Sequence, residues 1–262
     1  MRAAAEPAPG HPDVLRVVAP NPGPMTLAGT DSYVVGEGPA WVIDPGPVDE
    51  SHLSALRAAA GERGGIAGVL LTHSHADHSQ AAELLDAPLL WGRVSTADEV
   101  GRDGPEASSP GRPPEPIGPF EVIPTPGHAR DHVAFAYGGV CFCGDLVLGE
   151  GSSIVLPNGG GLAAYMDSLE TLRERSFDLL CPGHGPWITD PAARLAEYRE
   201  HRLDRERRLL EAIEGGATSR KELLAAAWGD VPEPLRPMAA LAMEAHLDKL
   251  GAEGRLPAEL GP

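Results

Sequence analysis

Four residues with metal-binding side chains lie close together in the segment LLTHSHADHS, residues 70–79: His73, His75, Asp77 and His78. Imidazole nitrogens and carboxylate oxygens are the ligands that zinc takes in proteins, together with thiolates. On an extended segment His73 and His75 point to the same side, because side chains alternate with a period of two. The turn that follows changes the direction of the chain, so Asp77 and His78 can point toward the same region. The motif therefore predicts a metal site, in preference to a polar loop that is rich in histidine by chance.

Three later segments, TPGH, CGD and CPGHG, each place a further ligand directly after a glycine, which permits an abrupt turn. They supply His128, Asp145 and His184. The seven side chains divide into two groups joined by a bridging carboxylate. One group is His73, His75 and His128, the other is Asp77, His78 and His184, and Asp145 lies between them. We therefore predict two zinc ions, with other divalent transition metals as alternatives.

The segments that would position these ligands alternate between strand-like and helix-like patterns. Strands are predicted at 14–20, 33–36, 40–46, 66–73, 87–92, 120–128, 132–139, 140–150 and 177–188, and helices at 49–64, 79–87 and 163–175. This order indicates a layered α/β domain with its site along one sheet edge. Residues 1–12 are expected to be a mobile tail, and 100–119, rich in glycine, proline and serine, a surface loop.

The character of the chain changes near residue 191. A long helix is predicted there, in which Arg199, Arg202, Arg205 and Arg208 recur every third residue between acidic side chains. This pattern favours a solvated, ion-paired helix face over a nucleic-acid surface. Two further helices and a small hairpin follow, the outline of a winged helix. We therefore predict a catalytic domain at 1–192 and a helix plus winged-helix-like domain at 193–262.

Charge and composition narrow the function classes. The 262-residue chain has a formal net charge of −17, which disfavours extended contact with phosphate backbones. It contains no apolar run of membrane-spanning length and no apolar leader, so we expect no membrane partner and a cytoplasmic location. Three cysteines are an odd and low number, which fits reduced, buried thiols.

In combination, the HxHxDH motif and the later His, Asp and His resemble the metallo-β-lactamase-fold hydrolases. The resemblance implies the α/β (α+β) class, a four-layer αβ/βα sandwich with its metals at one edge, here followed by a small C-terminal helical winged-helix domain. Residues 21–36, 144–153, 163–172 and 198–210 and the C-terminal tail are similar to the β-lactamase-like 2 endoribonuclease family. That similarity covers nearly the whole chain.

The resemblance implies a zinc-dependent hydrolase whose nucleophile is a hydroxide bridging the metals, with Asp77 orienting it and taking its proton. The first expected substrate is a phosphodiester in single-stranded RNA. The alternative is a small-molecule thioester or other acyl ester, of the acyl-CoA, acyl-carrier or glyoxalase II kind. Substrate-binding residues are not assigned, although the turn at Asp31 and Ser32 and the 149–161 loop are expected to line the cleft.

A third hypothesis is a non-catalytic nucleic-acid-binding protein that uses the winged helix. Against it, the segment that would read the nucleic acid carries Lys249 and Arg255 as its basic residues and is otherwise rich in alanine and leucine. A docking or dimer helix fits this composition better, and it would allow a homodimer.

Overall fold

The computed structural model describes residues 5–92, 115–157 and 160–260. Within these ranges the strands are β1 Glu6–Ala8, β2 His11–Val18, β3 Asp31–Val35, β4 Ala40–Ile43, β5 Ile66–Leu70, β6 Leu89–Trp91, β7 Glu121–Pro124, β8 Val133–Tyr137, β9 Val140–Gly144 and β10 Leu179–Pro182. The helices are α1 Glu50–Gly61, α2 Ala76–Ser79, α3 Leu162–Arg173, α4 Pro191–Glu214, α5 Arg220–Trp228 and α6 Arg236–Ala252. None of these helices combines the length and apolarity needed to cross a membrane.

The strands form two sheets. The larger has the order β1-β2-β3-β4-β5-β6, and the smaller has the order β10-β9-β8-β7. β4, β5 and β6 run parallel to one another, as do β9 and β10, whereas the other neighbours are antiparallel. The predicted turn at 138–139 joins β8 to β9. Because the carboxyl ends of parallel strands open on one edge, the loops after them can converge there.

Both sheets are buried on two faces. Tyr33 of the larger sheet meets Phe142 of the smaller one, with ring centroids 5.1 Å apart, in the core between the sheets. On its outer face the larger sheet packs against α1, and the smaller sheet packs against α3 and α4. Four layers result, in the order helix, sheet, sheet, helix, which confirms the predicted sandwich.

Two predictions for the catalytic domain are wrong. The mobile tail predicted at 1–12 is wrong for residues 6–12, because β1 and the start of β2 form an antiparallel pair whose Ala8 is buried against the sheet core, and residues 1–4 lie outside the described residues. The helix predicted at 79–87 is instead the four-residue α2 followed by a 3-10 turn, Ala82–Leu85. α2 ends at Ser79 because backbone groups at its end form hydrogen bonds with Gly46: Gly46 O accepts from Ala81 N, and Gly46 N donates to His78 O.

Part of the predicted 100–119 loop, residues 100–114, lies outside the described residues. Its last residues are ordered into a tight turn, in which Ile117 and Phe120 exchange two backbone hydrogen bonds of 3.0 Å.

The C-terminal helices enclose a core of their own, which includes Leu209 of α4, Leu223 of α5 and Met243 of α6. The hairpin predicted after them is wrong for residues 253–260. Arg255 N bonds back to Leu250 O, and Ala258–Leu260 form a 3-10 turn with Leu260 buried. α4 contacts both α3 and α5, and the domain boundary at 192/193 stays a prediction.

The solvated arginine face predicted for α4 is wrong for two of its members. Arg202 and Arg205 are 4% and 7% exposed. Arg202 donates to Ser153 O, and Arg205 donates to Ala227 O and to the Asp230 carboxylate. They are buried because α5, α6 and the 148–154 loop cover that side of α4. Arg199 and Arg208 lie at the surface and are ion-paired as predicted.

Candidate metal centre

The loops that follow β5, β7, β9 and β10 bring all seven predicted ligands together at one edge of the sandwich. His73 and His75 lie in the turn after β5, and Asp77 and His78 lie on the first turn of α2. The remaining three follow the other strands and are His128, Asp145 and His184.

The first group consists of three imidazoles whose nitrogens meet. His75 Nδ1 lies 2.9 Å from His73 Nε2 and 2.9 Å from His128 Nε2. His128 Nδ1 donates to Ile154 O at 2.9 Å, so its Nε2 carries a lone pair. His73 Nδ1 lies 3.0 Å from Thr72 Oγ1, which gives its proton to Asp44, so His73 Nε2 also carries a lone pair.

A proton on His75 Nδ1 could satisfy one of these two lone pairs and would leave the other without a partner. A metal ion satisfies all three nitrogens together. The hydrogen bonds on the far nitrogens fix the tautomers that such binding requires.

The second group consists of Asp77, His78 and His184. Asp77 Oδ2 lies 3.3 Å from His184 Nε2 and 3.6 Å from His78 Nε2. His184 Nδ1 donates to Gly29 O at 3.1 Å and His78 Nδ1 donates to Asp44 Oδ2 at 3.0 Å, so both Nε2 atoms again point at the carboxylates.

Asp145 lies between the two groups. Its Oδ1 is 3.5 Å from His78 Nε2, and its Oδ2 is 3.4 Å from His184 Nε2 and 3.7 Å from His128 Nε2. Asp145 Oδ1 and His78 Nε2 are buried with no hydrogen-bond partner among the described residues. A divalent transition metal bound between these buried polar atoms would take them as ligands and so satisfy them.

Burial and neighbouring charge act differently on the two groups. Burial lowers the pKa of His128 to about 4, and His75 beside it acts in the same direction. Burial also holds the pKa of His73 well below its usual range. These imidazoles are therefore neutral near pH 7, the state in which a nitrogen binds metal.

In the second group the carboxylates dominate. Burial alone would lower the pKa of His184, but Asp145 and Asp77 raise it to about 10. Burial would raise the pKa of Asp145, but His184 and His78 hold it well below its usual range. Without metal this group is thus an ion pair, and metal binding must displace the imidazolium proton.

Asp44 was missed as a site residue. It follows β4, has a φ of +50° and is 2% exposed. Oδ1 accepts from Thr72 N at 2.7 Å, while Oδ2 accepts from Thr72 Oγ1 at 2.6 Å and from His78 Nδ1. These bonds occupy both carboxylate oxygens, so Asp44 orients His78. An acid at a strand end before Pro-Gly was the signal in the sequence.

Of the two segments expected to line the cleft, the 149–161 loop lines a cavity beside the ligands with its residues 150–154, whereas Asp31 and Ser32 do not line it. Both segments nevertheless adjoin the ligands. Gly29, directly before the turn that contains Asp31, accepts the hydrogen bond from His184. In the 148–154 loop, Ile154 O binds His128, and Ser153 Oγ donates to the backbone oxygen of Asp145 at 2.6 Å.

α4 fixes the 148–154 loop from outside. Leu148 N donates to Tyr198 Oη at 2.8 Å, Arg194 donates to Leu148 O and Gly151 O, and Arg202 donates to Ser153 O. The contacts recur every four residues, because positions 194, 198 and 202 lie on one face of the helix.

A cavity of about 320 Å³ opens on His128 and Asp145, two of the predicted metal ligands. Its other walls come from the 24–27 loop, the 148–154 loop and the C-terminal helices. Most of these wall residues are apolar: Pro24, Met25, Leu27, Leu148, Ile154, Trp228, Val231, Leu235, Met238, Ala239 and Ala242. The winged-helix part of the chain therefore helps to form the space beside the metal centre.

Comparisons with known proteins agree with this arrangement. The family description "Metallo-beta-lactamase superfamily" matches residues 25–89 and 96–184, and "Beta-lactamase associated winged helix domain" matches residues 219–259. The beta-lactamase-like protein 2 homolog of Drosophila melanogaster is 30% identical, over 93% of this chain and 89% of its own.

The atrochrysone carboxyl ACP thioesterase of Aspergillus chevalieri is 33% identical, over 85% of this chain and 75% of its own. A crystal structure of a beta-lactamase domain protein from Burkholderia ambifaria superposes with a TM-score of 0.75 at 20% identity, covering 96% of this chain and 91% of that one. The protein is an enzyme of the metallo-beta-lactamase superfamily, a hydrolase fold that implies a divalent metal, and it carries the associated C-terminal winged-helix domain.

Proposed function

We propose that this hydrolase cleaves a thioester or ester whose acyl part is apolar and occupies the cavity beside the metal centre. The observation that carries the proposal is the mostly apolar lining of that cavity, which also contains His128 and Asp145. Sites that bind small molecules are concave and mostly apolar, with a few polar groups at the reacting end. The net charge of −17 also favours such a substrate over a polynucleotide.

We propose two zinc ions as the metals. His73, His75 and His128 would hold one, Asp77, His78 and His184 the other, and Asp145 would contact both. Imidazole and carboxylate ligands without thiolate also suit other divalent transition metals, such as iron and manganese. When bound, such ions lower the pKa of water and polarise the substrate oxygen.

The chain supplies the remaining parts of the mechanism. Asp77 is the more open of the two carboxylates, with a side-chain exposure of 31% against 11% for Asp145. Asp77 is therefore placed to orient the attacking water and accept its proton. Asp44 and the carbonyls of Ile154 and Gly29 hold the imidazoles in fixed orientations, so that little reorganisation accompanies the reaction.

A relative with a thioesterase name supports this choice. Similarity to the beta-lactamase-like protein 2 homologs supports a second candidate, a phosphodiesterase that cleaves single-stranded RNA, since the resemblance to that family covers nearly the whole chain. The same ligand set would serve both reactions, so the choice depends on the cavity.

A purely nucleic-acid-binding role is disfavoured by the contacts of α6. Lys249 Nζ lies 2.7 Å from Glu206, and Arg255 lies 2.9 Å from Glu206 and 3.0 Å from Glu253. Lys249 of α6 and Arg255 after it, the two basic residues of this segment that a recognition helix would offer to phosphates, are thus ion-paired within the protein.

The test is a parallel assay of the metal-loaded protein on acyl thioesters of increasing chain length, single-stranded RNA and a phosphodiester model compound. We expect turnover of thioesters, with kcat/KM rising with chain length until the cavity is filled. Cleavage of RNA without thioester turnover would reverse the order of the two candidates.

Two variants of α6 sharpen this assay. Met238 lines the cavity, whereas Leu241 is 41% exposed and does not. Met238→Trp should move the optimum to shorter acyl chains, because the larger ring takes up part of the space. Leu241→Trp should leave the chain-length profile unchanged.

A further inference from the structure

Arg202 places a positive charge in the wall of the cavity that also exposes the metal ligands His128 and Asp145. The residue is 4% exposed. One Nη donates to Ser153 O, and the guanidinium lies over the ring of Tyr165, 5.1 Å from its centroid. Its Nε is buried without a hydrogen-bond partner.

Nearby cations differ from Arg202 in having carboxylate partners. Arg205 binds both oxygens of Asp230, at 2.6 and 3.1 Å, and Arg194 lies 2.6 Å from Glu197. Among the described residues Arg202 makes no ion pair, although Glu150 lines the same cavity. A buried charge without a counter-charge is costly, and this chain has an excess of acids that could have supplied one.

His201 supplies a second unpartnered polar atom at the same cavity. Its Nδ1 is buried and makes no hydrogen bond, and its ring lines the cavity next to Arg202. Burial, with Arg202 adding to it, lowers the pKa of His201 to about 4, so the imidazole is neutral. Its Nε2 accepts a hydrogen bond from Arg205 Nε at 3.4 Å, so the free Nδ1 carries the proton and can donate it to an oxyanion.

We propose that Arg202 binds an oxyanion of the substrate, a carboxylate or a phosphate, while the apolar part of that substrate fills the cavity. The planar guanidinium fork matches both oxyanions and binds them more strongly when it is shielded from water. Arg202 is then a specificity residue of the hydrolytic site. This inference rests on the proposed function, because the cavity is taken to be the substrate site.

The two sources of the oxyanion are separated by three thioesters with the same acyl length. One ends in a methyl group and is carried by N-acetylcysteamine, which is uncharged. The second has the same carrier and a terminal carboxylate. The third is methyl-terminated and carried by coenzyme A, which contributes phosphates. We expect kcat/KM to be about 10- to 100-fold higher for one anionic thioester than for the neutral one, the worth of a hydrogen bond to a charged group.

Arg202→Met should abolish this preference, whereas Arg202→Lys should retain part of it, because lysine keeps the charge but lacks the fork. Arg194→Met is the matched control, since Arg194 holds the same 148–154 loop from α4 but does not line the cavity. Arg194→Met should retain the wild-type ratio of kcat/KM between the anionic and neutral thioesters. Equal losses on all three thioesters in the Arg202 variants, or no preference in the wild type, would overturn the proposal.

Binding provides a readout that does not need turnover. Octanoate and octyl phosphate are titrated calorimetrically into wild type and Arg202→Met, with octanol as the neutral probe. The proposal that Arg202 binds the oxyanion is supported if the variant binds an anionic probe about 10- to 100-fold more weakly and binds octanol with unchanged affinity. If wild type and Arg202→Met bind the anionic probes with equal affinity, the proposal for Arg202 is overturned, even when no thioester is hydrolysed. Failure of this proposal can therefore be distinguished from failure of the proposed function.

Discussion

Gly183 is the position at which the smallest change should disturb the metal centre. It lies directly before His184, and a Cβ built there would be 2.2 Å from Asp145 Oδ1 and 2.6 Å from His78 Cε1. Ordinary contacts of this kind begin near 3.4 Å. Asp145 would therefore have to retreat by about 1 Å in Gly183→Ala.

Metal sites tolerate deviations of only about 0.2 Å in ligand distances. We therefore expect Gly183→Ala to lower metal affinity by at least about 10- to 100-fold, the loss typical of disturbed metal surroundings. Turnover should fall by about 100-fold even at saturating metal, because a displacement of about 1 Å misplaces the reacting groups. The overpacking should also reduce the free energy of unfolding by about 1–3 kcal/mol.

The measurements are equilibrium dialysis against zinc with elemental analysis, thioester turnover, and urea denaturation. Gly61→Ala is the control, because a Cβ at that position in α1 meets nothing within 4 Å. It should keep full metal and activity and gain up to about 1 kcal/mol of stability. Wild-type metal affinity and turnover in Gly183→Ala would refute the placement of Asp145 between the two ligand groups.

Three further perturbations test the surroundings of the site. Asp44→Asn weakens the bond that orients His78 and should lower metal affinity by about 10- to 100-fold, measured by competition with a chromogenic chelator. Wild-type affinity would show that this bond is dispensable. Tyr198→Phe leaves Leu148 N without its partner and should cost about 1–3 kcal/mol of unfolding free energy in urea; an unchanged free energy of unfolding would contradict this. Chelation should lower the melting temperature, because the metals bind only the folded site, and excess zinc should restore it; an unchanged temperature would contradict this linkage.

Sequence and structure agree most closely where function depends on local spacing. His73, His75, Asp77 and His78 could be identified because one short turn holds them all. The strand-like segments before the later ligands were sufficient to predict convergence, since the loops after neighbouring strands must share an edge.

The differences arise where one pattern is compatible with two environments. Arginines every third residue fit a solvated helix face and a buried one equally well, and only the packing of α5 and α6 shows that Arg202 and Arg205 are inside. The strand-end position of Asp44 before Pro-Gly was visible in the sequence, but its role depends on Thr72, which follows the neighbouring parallel strand, a contact that the sequence spacing does not show. β1 was missed because its partner strand, not its own composition, makes it a strand.

The most direct test of the account is the location of metal in crystals of the zinc-loaded protein, by anomalous diffraction at the zinc edge. We predict one peak bound by His73, His75 and His128 and another bound by Asp77, His78 and His184, with Asp145 between them. A site that stays empty at saturating zinc, or a peak held by other residues, would contradict the central claim that this cluster is the metal centre of the hydrolase.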